Sequence, residues 1–290
     1  VKLPDLAELL ELQALARTVS LPSVGSARAQ LLGAHRGVHR GRGLEFEEVR
    51  PYVAGDDARS IDWRVSARRG RLHTKLFREE RERPVWLLVD LQPGMFFASR
   101  TQLKSALAVR TAALLAWVAS HAGDRVGAVI ANGAETVCLP PRARQAGVLT
   151  IINTLLALQP QKPAAPRPAA LTAALGMLAP LVHPGSLVRA ISDFAVLDAG
   201  AEIAWSALAA HAECRLFWIT DPLEQQGLPT GRFRGGIPGR LWPIDGARIR
   251  ARWRSAWDER AKRVESLGER LRMPVTRLDT AGALTEQFAA

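Results

Sequence analysis

The chain has 290 residues, of which 48% are apolar and 23% charged, a balance that excludes disorder as the main state and provides for one large α/β unit or two smaller domains. Its net charge is +11, carried by 39 Lys plus Arg against 28 Asp plus Glu, and 34 of the basic residues are Arg. The two cysteines, Cys138 and Cys214, stand far apart without a CxxC or Cys/His spacing, which excludes a disulfide scaffold and a cysteine zinc site.

In chain order, apolar residues at 6, 9, 10, 12, 14 and 15 predict an amphipathic helix ended by Leu21-Pro22. Its sequence lacks the basic-then-apolar order of a signal peptide, and the most apolar helix candidate, Leu103 to Ser120, carries Lys104 and Arg110; the expectation is a cytoplasmic protein without a transmembrane segment. Val24 to Gly43 is Gly-, His- and Arg-rich and reads as an extended arm. Two stretches, Arg28–Arg42 and Arg64–Arg78, are basic without a single acid. From Leu44 to Pro84 polar and apolar residues mix densely.

After Pro84 short β-rich runs alternate with helical stretches, the pattern of a parallel α/β sheet. Val85–Leu91 is an unbroken apolar run suited to a strand buried on both faces. Ser99, with Gln102 three residues on, predicts the N-cap of a helix running to about Ser120. Strands follow at Val126–Ala131 and Thr136–Leu139 around an Asn132-Gly133 turn, then a helix at 144–158 and a proline-rich loop at Gln159–Pro168. Ala170–Leu181 reads as helix, Leu187–Ile191 as strand, Asp198–His211 as helix and Cys214–Ile219 as strand. Pro222–Pro243 is punctuated by Gly and Pro and reads as loop, its GRFRGG as a turn rather than an RNA-binding tract. Ile249, Trp253, Trp257, Val264, Leu267 and Leu271 recur at helical spacing, and Pro274–Leu278 and Leu284–Phe288 close the chain as strand and helix.

The stretch Gly43 to Glu80 resembles the signature block of the bacterial domain of unknown function 58 family through Gly43, Glu45, Phe46, Arg50, Tyr52, Gly55, Asp56, Asp57, Arg59, Ile61, Asp62, Trp63, Ala67, Arg68 and Glu80. The SDF at Ser192–Phe194 and the DPLE at Asp221–Glu224 agree with it. The resemblance implies an α/β fold of von Willebrand factor A-like type, with a mostly parallel, doubly wound sheet over residues 85–290. Residues 1–84 would form an N-terminal helix, basic arm and signature block packed on it. It also implies a MoxR-type AAA+ ATPase as partner, together with other von Willebrand factor A-domain proteins.

A-type domains carry a metal-ion-dependent adhesion site built from Asp-x-Ser-x-Ser, a Thr and a further Asp, since Mg²⁺ demands short, near-octahedral oxygen ligands. Here Asp90 and Asp193 keep the first and last positions, but Gln92 and Gly94 replace the serines and Ala169 falls at the Thr position, with Thr172 one helical turn too late. The site reads as degenerate, so no metal and no cofactor are expected. No G-x-S-x-G elbow and no phosphate-binding loop of the Walker type occurs.

The reading is a non-enzymatic interaction or adaptor protein, with Arg36, Arg40, Arg42, Arg68, Arg69 and Arg71 as candidate partner-binding residues. One alternative is an anion or nucleic-acid binder on the same arginines, disfavoured because few aromatics interleave the basic runs. Another is a metal-dependent hydrolase at Asp56, Asp57 and Asp62. Interleaved arginines argue against it, because they favour ion pairs locking the block, with Phe46, Tyr52 and Trp63 as apolar anchors.

Overall fold

A computed structural model describes residues 2–19, 44–53, 56, 58–79, 83–164, 167, 169–237 and 239–289. It divides into two compact units. One comprises residues 1–27 and 83–290, the other residues 28–82.

The larger unit is built on a six-stranded sheet. Its strands are β3 (Pro84–Asp90), β4 (Arg125–Ala131), β5 (Thr136–Arg142), β6 (Leu187–Ser192), β7 (Glu213–Thr220) and β10 (Val275–Asp279), in the spatial order β10-β7-β6-β3-β4-β5. All neighbours are parallel except β4 and β5, which the Asn132-Gly133 turn joins as an antiparallel pair. The Asn132 side chain accepts from the backbone N–H groups of Ala134 and Glu135, which explains why Asn opens that turn.

Successive residues of β3 point to opposite faces and both faces are covered, hence the unbroken apolar run. Val85, Leu87 and Val89 join one core with α1 (Leu6–Ala16), α3 (Lys104–His121), α4 (Arg144–Leu158) and α9 (Leu284–Ala289). Trp86 and Leu88 join the other with α5 (Ala170–Leu178), α6 (Ala199–Ala209) and α8 (Gly246–Leu271). The result is a doubly wound α/β fold. Helix α1 belongs to this unit: Asp5 caps it by accepting from Glu8 N, Leu9 is fully buried, the Trp117 indole donates to Leu9 O, and Glu8 pairs with Arg110.

Two local expectations are corrected. Helix α3 starts at Lys104 behind an extended Leu103 without a side-chain cap, because Ser99 is bonded elsewhere. The segment 222–243 contains regular structure: α7 (Pro222–Gln226) and the strand β8 (Arg232–Ile237), which pairs in antiparallel fashion with β9 (Arg240–Asp245). Its glycines serve the hairpin, with Gly239 at φ +83° in the turn. Among the described residues no helix is long and apolar enough to cross a membrane.

In the smaller unit, β1 (Leu44–Pro51) pairs in antiparallel fashion with β2 (His73–Glu79), with a bulge between Phe46 and Glu48. The short helix α2 (Trp63–Arg69) lies between them in sequence, capped by Asp62 and ended by Gly70 at φ +66°. Buried Ser66 ties it to β2 by accepting from His73 N at 2.9 Å.

Candidate functional site

The sheet order reverses at β3: the chain adds β4 and β5 on one side, then β6, β7 and β10 on the other. In doubly wound folds the crevice beyond the C-terminal ends of the strands at this switch point is the ligand position. Here it receives Asp90, the last residue of β3, together with Ser192 and Asp193 at the end of β6. The two aspartates are thus brought together, and both are buried.

Asp90 Oδ2 accepts from Ser192 Oγ at 2.7 Å and Oδ1 from Gln92 N at 3.0 Å. Ser192 Oγ in turn accepts from Phe194 N at 3.0 Å. That turn places Phe194 at φ +48°, a left-handed conformation uncommon for a bulky residue, held because the ring is buried in the core. Burial, with the neighbouring Asp193 charge, pushes the Asp90 carboxyl up to about 6.

Asp193 has a different environment. Its Oδ2 lies 2.6 Å from the ammonium of Lys104, and Oδ1 accepts from Ala195 N at 3.0 Å. Lys104 is 2% exposed and also reaches Glu224 Oε1 at 2.9 Å, which Arg260 approaches at 3.4 Å. Burial alone would lower the Lys104 pKa, but the Asp193 and Glu224 carboxylates reverse the shift and hold it above the ordinary value. For Asp193, burial favours the neutral acid, yet the Lys104 charge and hydrogen bond bring it below the usual carboxylate range. Two cations therefore face three carboxylates.

A third buried carboxylate ties the rim. Asp221, at the end of β7, accepts from Ser99 N at 2.9 Å, Leu223 N at 2.9 Å and Thr280 Oγ1 at 2.6 Å, and also from Ser99 Oγ. Burial opposes its ionisation, and the hydrogen bonds from Ser99 and Thr280 bring its pKa below the ordinary value. It clamps the loop after β3 to the ends of β7 and β10.

A divalent ion does not fit these residues. The Lys104 ammonium already sits against Asp193, Gln92 and Gly94 after Asp90 carry no hydroxyl, and Ala169 precedes α5 without a side-chain oxygen. Thr172 donates to Asp198 Oδ1 at 3.0 Å instead. Nor is the lysine a nucleophile at neutral pH, since two carboxylates hold its proton.

The signature block has its own chemistry. Asp56 accepts from Arg50 Nη2 at 2.7 Å and from Val53 N at 3.0 Å; these bonds lower its pKa, the backbone one foremost. Asp62 caps α2 through Arg64 N and Val65 N and has Lys75 at 3.5 Å. These two carboxylates are engaged in turn and cap bonds, and no group of three or more potential metal-ligating side chains occurs among the described residues. Trp63 is 67% exposed, which corrects its expected role as a buried anchor. Tyr52 is half-buried, with its backbone N–H bonded to Leu72 O. Arg59, Arg68, Arg69 and Arg71 are exposed. Arg36, Arg40, Arg42, Gly55 and Asp57 lie outside the described residues, as do the side chains of Glu45 and Phe46, whose backbone forms part of β1.

Lys104, Glu224, Asp221, Ser99 and Thr280 were not singled out as site residues by the sequence. One signal was available: a lysine in the first turn of a largely apolar helix opposes the helix dipole and calls for a nearby carboxylate.

The model of the family described as "Protein of unknown function DUF58" matches residues 48–262, which take in most of the signature block and the switch point. The chain belongs to this family. It is also similar to the uncharacterized proteins Mb1516 of Mycobacterium bovis and Rv1480 of Mycobacterium tuberculosis, each 37% identical over 157 residues that make up 54% of this chain and 49% of theirs. It thus spans about half the length of the curated relatives it matches. Solved structures with similarity include BatB of Bacteroides thetaiotaomicron (TM-score 0.45, 16% identity, covering 71% of this chain and 94% of that one). An aerotolerance-related membrane protein of Bacteroides fragilis is comparable (TM-score 0.43, 14% identity, 71% and 96%).

Proposed function

We propose that this DUF58 protein is a non-catalytic interaction protein, an adaptor working with a MoxR-type AAA+ ATPase, and that its larger unit is a von Willebrand factor A-like domain operating without a metal. The observation that carries the reading is the Lys104 ammonium, 2.6 Å from Asp193 and 2.9 Å from Glu224 at the switch point. An A-type domain captures a partner's carboxylate by completing the coordination of its ion. Here an internal cation occupies the position beside the last aspartate, so that mode of capture is closed and the buried polar cluster serves the fold. The strand order, reversing at the first sheet strand with one antiparallel edge, supports the A-like assignment. The ATPase as partner comes from the family resemblance.

In this reading recognition uses the protein's surface, and ATP hydrolysis belongs to the partner. The test is co-purification with a MoxR-type ATPase from the same organism, with and without nucleotide, in EDTA and in Mg²⁺. To separate the effect of the metal from that of the Mg–nucleotide complex, the nucleotide-free arms are compared first. Equal recovery there in both buffers is expected. Dependence on Mg²⁺ in the absence of nucleotide would refute the metal-free mechanism, and no recovery under any condition would refute the adaptor role.

A further inference from the structure

A groove on the larger unit borders the switch-point cluster and shares Glu224 and Arg260 with it. Helix α8 runs for 26 residues, but its two halves are used differently. In the second half Val264, Leu267 and Gly268 are buried; in the first only Gly246 and Trp257 are. Beside that first half, against Glu224 of α7, lies the groove of about 430 Å³. Its floor is apolar, formed by Ile249, Trp253, Ala256 and Trp257, and Arg252 and Arg260 line its sides. These side chains recur once per turn from 249 to 260, so the groove follows the helix for about 16 Å.

The surroundings are strongly basic. Residues 232–260, spanning the β8–β9 hairpin and the part of α8 along the groove, hold eight arginines and three acids, Asp245, Asp258 and Glu259. Asp245 is engaged as the cap of α8, accepting from Ala247 N and Arg248 N. The floor is rigid. Trp257 stacks on Trp218 with centroids 5.1 Å apart, the guanidinium groups of Arg260 and Arg277 lie 5.7 and 5.1 Å from its ring, and the Trp253 indole donates to Glu224 O at 3.2 Å.

We infer that this groove between α7 and α8 docks an acidic amphipathic helix of a partner protein, with its apolar side chains on the Trp253–Ala256 floor and its carboxylates on Arg252 and Arg260. A groove that follows a helix over several turns suits anchors spaced i, i+3, i+4 and i+7. Rigid tryptophans beside arginines have the composition of interface hot spots. Charge complementarity selects an acidic occupant. Nucleic acid fits less well, because base stacking needs free ring faces and Trp257 is already stacked. A lipid surface fits less well because a concave floor cannot insert into it. The inference deepens the adaptor reading, on which it rests for the partner being a protein.

The test uses the full chain and a fluorescein-labelled helical peptide of about five turns with Leu at i, i+3, i+4 and i+7 and Glu on its flanks. The expected result is binding at least about tenfold tighter than that of a scrambled or Lys-for-Glu peptide. Arg252→Glu and Ala256→Glu, both at exposed positions, are expected to weaken it about tenfold without moving the melting temperature. Binding that ignores both variants, no preference over the scrambled peptide, or a stronger preference for an oligonucleotide or phosphatidylglycerol vesicles overturns the inference. The ATPase separates the two readings: its recovery by both variants as by the parent refutes the groove and leaves the adaptor role standing. Peptide binding as expected without any ATPase recovery refutes that partnership and leaves the groove.

Discussion

Replacing Lys104 by Met keeps the bulk of the side chain and removes its charge, leaving buried Asp193 and half-buried Glu224 without their nearest cation. Removing one partner of a buried pair costs about 3–5 kcal/mol, because the remaining charge has lost both water and its counter-ion. At about 2–4 °C per kcal/mol for a unit of this size, the melting temperature should fall by roughly 6–20 °C at pH 7.5. The pH dependence carries the diagnosis. In the parent, Asp193 lies below its ordinary pKa and Lys104 above its own, so their mutual stabilisation stays constant between pH 5 and 7.5. In Lys104→Met the Asp193 pKa rises, so the destabilisation is present at high pH and relieved as the acid protonates; the gap to the parent narrows towards pH 5. Adding Asp193→Asn and Glu224→Gln, which neutralises the stranded charges, should restore most of the loss. Thermal melts by circular dichroism across pH, in EDTA, check all three. A Lys104→Met protein that melts within a degree or two of the parent, or whose deficit is independent of pH, would refute the assignment of this lysine as the internal counter-charge.

Asp90→Asn should stabilise the protein at pH 7 by up to about 3 kcal/mol, the equivalent of a carboxyl raised from 3.8 to about 6. The sign follows from the raised folded-state pKa: the parent's Asp90 contribution is full below the unfolded value and lost as pH rises through about 6, so the variant's advantage should vanish by pH 4, as urea titrations at both pH values would reveal. Asp221→Ala strands the Ser99 and Thr280 donors and should cost at least about 2 kcal/mol, with enhanced hydrogen exchange in the loop after β3; unchanged exchange there would contradict its role as a clamp. Trp63→Ala, at an exposed position, should change stability by no more than about 0.5 kcal/mol in the same melts, and a larger loss would mean that the ring is buried in solution.

The alternation of apolar runs and periodic segments after Pro84 was enough to read the α/β class and nearly every strand and helix, because burial on both faces imposes local patterns: VWLLVDL is what a central parallel strand must look like. The motif block was legible for a similar reason, its residues lying close together in sequence. That positions 92 and 94, after Asp90, carry Gln and Gly and no hydroxyl could be read directly. What surrounds Asp90 and Asp193 could not. Lys104 and its partners Asp193 and Glu224 are separated by 89 and 120 residues, and Ser99 and Asp221 by 122, so no local pattern links them. Only the switch in strand order at β3 draws these segments to one edge, and only burial there makes an ordinary lysine the counter-charge of the site. The same holds for the groove on α8: helical spacing placed Trp253 and Trp257 on one stripe, but the short helix α7 beside them decided that part of that stripe would stay open. Periodicity records how much of each element is buried, whereas the identity of the neighbour, and hence the chemistry, is a property of the tertiary arrangement.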